Sequence, residues 1–138
     1  MQLNLSTDYA IRAVLYLSTV DRSADSAELS EALCVPQHYL LNICAKLRRA
    51  GILVSVPGHG GGIRLARPAG DISLADVISV LEPNSHLNRC LADDQYCSRN
   101  AVQLCPVHDV YCEAQKALDD VFRITFAELV RRGKEKER

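Results

Sequence analysis

The chain has 138 residues and a mass of 15.2 kDa, which suits one domain of ordinary size or one domain with an accessory element. Its composition, 48% hydrophobic and 24% charged, is typical of a globular protein, and no apolar run approaches the roughly 18 residues of a membrane span. Residues 1–4 lack the layout of a signal peptide, so we expect a cytoplasmic protein without a disulfide scaffold. Six cysteines in such a chain indicate metal or redox chemistry.

The net charge of −1 conceals an uneven distribution of charged residues. Residues 36–67 contain five basic side chains and no acidic one. Residues 1–35 and 68–128 are acidic, with net charges of −3 and −6, and residues 129–138 carry +3. A long stretch without an acid, inside an acidic protein, indicates a surface for an anionic partner.

Apolar periodicity predicts three helices in the first fifty residues. They cover residues 6–20 (capped by Ser6 or Thr7), 25–33 (capped by Asp25-Ser26) and 36–50, the last with Leu40, Ile43, Cys44 and Leu47 on its buried side. The second and third helices, joined by a tight turn, are a helix-turn-helix candidate. The third helix then supplies candidate DNA contacts: Gln37, His38, Tyr39, Asn42, Lys46, Arg48 and Arg49.

A β-hairpin is predicted directly after these helices, with strands at 52–56 and 63–66 around the glycine-rich turn 57–62. The turn lacks the Gly-Lys-Ser/Thr of a phosphate-binding loop, so nucleotide binding is not expected. A hairpin in this position is the wing of a winged helix-turn-helix. Its candidate DNA contacts are Gly58, His59, Gly60 and Arg64.

The second half of the chain begins with a capping box at Ser73 and Asp76, and its first helix ends near Glu82. After a polar, aperiodic loop, the apolar pattern from Pro106 onwards predicts one long helix, about 40 Å in length. Because a small domain has little core to cover such a helix, we expect it to pair with its copy in a homodimer. The predicted divisions are a DNA-binding domain (1–83), a cysteine-rich loop (84–105), a dimerisation helix (106–132) and a charged tail (133–138).

The cysteines fall into two groups. Cys34 and Cys44 are expected in the core, where cysteine behaves as a small hydrophobe. The other four are separated by six, seven and six residues and are flanked by histidines: Cys90, Cys97, Cys105 and Cys112, with His86 and His108. Structural zinc sites usually contain close Cys-x2–4-Cys pairs, so these wider spacings favour an iron–sulfur cluster, with zinc and a disulfide switch as open alternatives. A Cys105–His108 nucleophile lacks a third, orienting group, and no enzyme is expected.

In this order, the segments resemble the Rrf-two family of winged-helix transcriptional regulators, in its iron–sulfur branch with NsrR-like and IscR-like members. The resemblance covers nearly the whole chain and is carried by Leu3 with 6–13, 35–53, 58–66, 72–83, the cysteine loop and 126–130. It implies a mainly α winged helix-turn-helix with a small β-hairpin wing and a long C-terminal dimerisation helix. It also implies a dimeric regulator, a repressor on palindromic DNA, controlled by a cluster that senses nitric oxide, redox state or iron status. The alternative is a thiol-based or zinc-containing regulator without a cluster.

The resemblance implies one iron–sulfur cluster per subunit, with 4Fe–4S favoured over 2Fe–2S. NsrR-like members take the fourth ligand from the partner subunit's first helix, a position that Asp8 matches, with Arg12 beside it in the surroundings of the cluster. IscR-like members use a histidine three residues after the third cysteine, which His108 matches. The chain departs from the family at Pro57, where many members have an arginine, and in its longer cysteine spacings. The expected ligands are Cys90, Cys97, Cys105 and Asp8 of the partner subunit, with His108 and Cys112 as alternatives to Asp8.

Overall fold

The computed structural model describes residues 2–138, so the first residue of the predicted DNA-binding domain lies outside the described residues. Within them the chain forms six α-helices and one two-stranded antiparallel sheet. The elements are α1 (Leu5–Val20), α2 (Ser26–Leu33), α3 (Gln37–Arg49), β1 (Leu53–Val56), β2 (Gly62–Leu65), α4 (Leu74–Leu81), α5 (Pro106–Val121) and α6 (Phe126–Lys136). The predicted mainly helical fold with a β-hairpin wing is confirmed.

Local signals set the bounds of α2, α3 and α4. The side chain of Asp25 accepts a hydrogen bond from the Glu28 amide at 2.8 Å, which caps α2. Pro36 is the residue before α3 rather than its first helical residue, and Gly51, at φ 79°, follows the end of that helix. Before α4, Ser73 and Asp76 form the predicted capping box.

The start of α1 differs from the prediction because the helix begins at Leu5 and neither Ser6 nor Thr7 is its cap. Thr7 lies inside the helix, is fully buried and donates a hydrogen bond from Oγ1 to Glu82 Oε1 at 2.7 Å. Asn4 precedes the helix and donates to the same carboxylate from its backbone N at 2.7 Å and from Nδ2 at 3.0 Å. Glu82, the residue that follows α4, therefore connects the end of α4 to the beginning of α1.

The wing is fixed to the segment before α2. Strand β1 pairs with β2 in a register that places Leu53 opposite Leu65. On the other side of β2, Ile63 exchanges two backbone hydrogen bonds with Ala24, at 2.8 and 2.9 Å. Backbone hydrogen bonds consequently hold the hairpin against the segment that leads into the helix-turn-helix.

The predicted single helix over 106–132 is wrong, because the chain forms two helices, and α6 also extends to Lys136 within the predicted tail 133–138. The intervening segment is bonded to the start of α4: Ala75 N donates to Phe122 O at 2.8 Å, and Phe126 N to Ile72 O at 2.9 Å. The Phe126 side chain is fully buried in the core. The packing of α6 against the core thus divides into two helices the segment for which the apolar pattern predicts one.

No helix formed by residues 2–138 is both long and apolar enough to span a membrane.

Candidate nucleic-acid interface and metal centre

Helix α3 has a buried side and a polar side, as the sequence predicts. Its four buried residues are the predicted ones, Leu40, Ile43, Cys44 and Leu47. All the predicted DNA contacts on this helix are exposed: Gln37, His38, Tyr39, Asn42, Lys46, Arg48 and Arg49. The sequence interpretation missed Leu41, which is also exposed although it is apolar. Burial separates the two sides, and the polar one is available to a partner.

Four of the exposed side chains contact neighbouring side chains. The Gln37 amide donates from Nε2 to Ser26 Oγ at 2.7 Å. The rings of His38 and Tyr39 lie with their centroids 4.3 Å apart. Arg48 Nη1 donates to the hydroxyl of Ser55 on β1 at 2.5 Å, so this guanidinium bridges α3 and the wing.

The glycines of the wing permit a turn that other residues would strain. Gly58 has φ 90°, in the left-handed region, and a Cβ on Gly62 would lie 2.4 Å from the Ala24 carbonyl oxygen. The hydroxyl of Ser23 donates to Gly60 O at 3.1 Å and ties the turn to the residues before α2. His59 and Arg64 are exposed. All four predicted wing contacts therefore lie on an accessible, tethered hairpin.

The three predicted cluster cysteines open on one cavity. Cys90 lies in a short 3-10 turn, Arg89–Leu91, while Cys105 immediately precedes α5. The cavity has a volume of about 270 Å³, and its lining includes Cys90, Cys97, Cys105, His108, Tyr96 and Tyr111. The fold thus brings together thiols that are up to fifteen positions apart in the chain.

His108 lies between two thiols. Its Nδ1 is 3.2 Å from Cys90 Sγ, and its Nε2 is 3.5 Å from Cys112 Sγ. Asn88 Nδ2 also donates to Cys90 Sγ at 3.4 Å. The first turn of α5 is therefore in direct contact with the most buried cysteine of the cavity.

Backbone amides favour the ionised form of Cys97. Backbone N–H groups hold the pKa of this thiol below its usual value by donating hydrogen bonds to it. The largest contribution comes from Ala101, and Arg99 and Asn100 add smaller ones. Nearby, Arg89 forms a two-pronged ion pair with Asp94, and its guanidinium lies 5.5 Å from the centre of the Tyr96 ring. These contacts link residues of the loop, of which Arg89 and Tyr96 line the cavity.

The donor set suits a thiolate-bound metal group. Three thiols and one imidazole around a single cavity are ligands for an iron–sulfur cluster or for zinc. Among residues 2–138, however, no three His, Cys, Asp or Glu side chains are already arranged around a metal-sized point. The residues fit such a group by chemistry and position, and their side chains would have to converge to bind it.

The other two predicted ligands do not line this cavity within the chain, and Asp8 is expected to reach it from the partner subunit. Asp8 pairs with Arg12 at 2.7 Å on the surface of α1, and about half of each side chain is exposed. Cys112 is exposed and lines a different cavity, which His86 also lines. Of the three candidates for a fourth ligand, His108 is the one that shares the cavity with the cysteines.

The two cysteines expected in the core differ from each other. Cys44 is buried, and burial raises the pKa of its thiol to about 11. Cys34 is exposed, so its predicted core position is wrong. It has φ 55° at the end of α2, in the turn before α3, and this left-handed backbone turns it away from the core.

Helix α5 has no buried residue within the single chain. Its exposed apolar side chains are Val107, Val110, Tyr111 and Val121. An apolar surface of this kind is typical of a helix that packs against another subunit.

Comparisons with known proteins agree with this architecture. A sequence model of the Rrf2 (Rrf-two) family, described as an iron-dependent transcriptional regulator, matches residues 3–132. Among solved structures, IscR of T. potens superposes with a TM-score of 0.78 at 23% identity, over 100% of this chain and 92% of that one. CymR (YrzC), the global cysteine regulator of B. subtilis, gives 0.77 at 19% identity, with 94% and 96% covered. The oxidized form of S. aureus CymR gives 0.71 at 22% identity, again with 94% and 96% covered. At these identities the likeness concerns the fold.

Proposed function

The chain belongs to the Rrf2 family of transcriptional regulators, which are not enzymes, and from this premise we propose that it is a homodimeric repressor controlled by an iron–sulfur cluster. It binds palindromic DNA through α3 and the wing. The observation that carries the proposal is the single cavity lined by Cys90, Cys97 and Cys105. His108, three residues after Cys105, lines the same cavity.

The exposed side of α3 and the wing support the DNA-binding part. In a helix-turn-helix protein the second helix enters the major groove, and its first turns contact base edges. His38 and Asn42 are exposed in those turns, whereas Lys46 and Arg49 are nearer the end of the helix and suit phosphates. A two-fold dimer built on α5 would present two such helices to a palindrome.

Cys90, Cys97 and Cys105 are the proposed cluster ligands, and a bound cluster would supply an iron centre that responds to nitric oxide, redox state or iron supply. For the fourth ligand we favour His108, because it already lines the cavity. Asp8 of the partner subunit, the ligand that the sequence favours, remains the second candidate. Cys112 is the third, through its contact with His108.

Contacts of the chain connect the cysteine loop to the DNA-binding helices. Glu82, just before the loop, accepts hydrogen bonds from Asn4 and Thr7 at the start of α1. Further along α1, Arg12 Nη1 donates to Leu33 O at 3.4 Å, at the end of α2. We propose that a rearrangement of the loop shifts α1 and, through it, the position of α2 and α3. DNA affinity then depends on whether the cysteines are bound.

A thiol-based or zinc-containing regulator is the second candidate. It is favoured by the exposed thiols of Cys34 and Cys112 and by the fact that three thiols and an imidazole also suit zinc. The fold likeness to a cysteine regulator is compatible with it.

The fourth ligand and the kind of metal are tested together by visible absorption and metal content of anaerobically purified variants. We expect a coloured wild type, an altered spectrum for His108→Ala and unchanged spectra for Asp8→Ala and Cys112→Ser. A spectrum altered only by Asp8→Ala would assign that ligand to the partner subunit. A colourless protein with stoichiometric zinc would exclude the cluster.

A further inference from the structure

The polar side of α3 carries one large apolar side chain. Leu41 is 51% exposed, whereas the other two leucines of this helix, Leu40 and Leu47, are fully buried. A single exposed leucine is ordinary on a protein surface. Its position on the helix therefore decides what it indicates.

The faces of α3 follow from the helical repeat of 3.6 residues. The side opposite the buried residues consists of His38, Asn42, Ala45 and Arg49. Leu41 borders this stripe and is one turn from His38 and from Ala45. A partner that contacts the stripe would therefore contact Leu41 as well.

The neighbours of Leu41 leave its side chain uncovered. The amide of Gln37 is held by Ser26, and the guanidinium of Arg48 by Ser55. His38 lies against the ring of Tyr39 on the other side. Ala45 is too short to cover it. The result is an apolar patch one side chain wide, between polar groups that suit base edges.

We infer that Leu41 contacts the C5 methyl group of a thymine in the major groove, so that each half-site of the bound DNA has a thymine opposite this residue. The inference rests on the proposed DNA-binding function and adds a base preference to it. Thymine is the one base of unmodified DNA that presents a methyl group in the major groove, and apolar side chains are its usual contacts. Removing that methyl group from water increases affinity about fourfold per contact.

Deoxyuridine tests this contact directly, because it differs from thymidine only by the missing methyl group. Sequences that bind the wild type are first selected from random DNA, and each recurrent thymine is then replaced by uracil. We expect one symmetric position at which the replacement weakens wild-type binding about fourfold per half-site. The side chain of the Leu41→Ala variant is too short to reach the methyl group, so this variant should bind the thymine and uracil forms of that position equally.

Leu5→Ala is the matched control, since Leu5 is also an exposed leucine but lies on α1. It should keep the wild-type ratio of affinities. A thymine preference that persists in Leu41→Ala, or selected DNA in which no thymine methyl group affects the wild type, would overturn the inference while DNA binding stands. If random DNA yields no bound sequence, the proposed function is overturned and the inference falls with it.

Discussion

Nδ1 of His108 lies 3.2 Å from Sγ of Cys90, so the first turn of α5 contacts the cysteine loop through a group that can itself bind a metal. Because α5 buries none of its residues within the chain, the same helix is also the best candidate for a subunit interface. A change at the cysteines would therefore act on the element expected to hold the dimer together.

Removing the carboxylate of Glu82 should destabilise the fold. The buried hydroxyl of Thr7 would lose its acceptor, and the beginning of α1 would lose its tie to α4. We expect Glu82→Ala to lower the free energy of unfolding by about 1–3 kcal/mol, measured by urea denaturation. Glu31→Ala, which removes an exposed carboxylate of α2, is the control and should leave the stability unchanged. Equal stability of both variants would show that the Glu82 contacts contribute nothing.

Cys34 and Cys44 should differ in reactivity. The thiolate is the reactive form, and at pH 8 the buried Cys44, with a pKa of about 11, is neutral and shielded. Maleimide labelling of the folded, reduced protein should modify Cys34 within the time in which Cys44 remains unmodified. Mass spectrometry of peptides measures this, with urea-unfolded protein as the control in which both react. Equal rates in the folded protein would contradict the burial of Cys44.

Lys46 should contribute to DNA binding without regard to sequence. If it contacts a phosphate, Lys46→Ala weakens binding to all DNA and lowers the slope of log affinity against log salt by about 0.9 per lost contact. The slope is obtained from titrations at several salt concentrations. Lys116→Ala, which removes an exposed lysine of α5, should leave it unchanged. An unaltered slope for Lys46→Ala would exclude the phosphate contact.

Helix ends that depend on nearby residues could be predicted from the sequence, whereas features that depend on distant residues could not. Asp25, Gly51 and the capping box at Ser73 act within a few residues of their own positions, and the corresponding helix ends were predicted. Thr7 has the chemistry of a cap, but its partner Glu82 lies 75 positions away, which no local pattern reveals. The same reason explains the interruption between α5 and α6, because it depends on hydrogen bonds to Ile72 and Ala75.

The candidate site was also predicted in part. The spacing of the cysteines groups four of them, Cys90, Cys97, Cys105 and Cys112, and the family resemblance implies the first three as ligands. The structure brings those three to one cavity. The predicted core position of Cys34 is wrong because this residue adopts a left-handed backbone conformation. Glycine or asparagine usually occupies such a position, and the sequence has a cysteine there, so no local pattern indicates the turn. No local pattern indicates that Leu41 is exposed, because apolar residues in a helix ordinarily belong to the core and its exposure depends on the packing of α3.

The most direct test of the central proposal is the affinity for selected DNA, measured without oxygen before and after exposure to nitric oxide. Iron and sulfide content and visible absorption are recorded on the same samples. We predict a coloured protein that binds its DNA at least tenfold more tightly before exposure, and a Cys97→Ser variant that is colourless and binds weakly throughout. Cys34→Ser, the control outside the cavity, should behave like the wild type. A colourless wild type, or an affinity that is the same before and after cluster loss, would contradict the proposal.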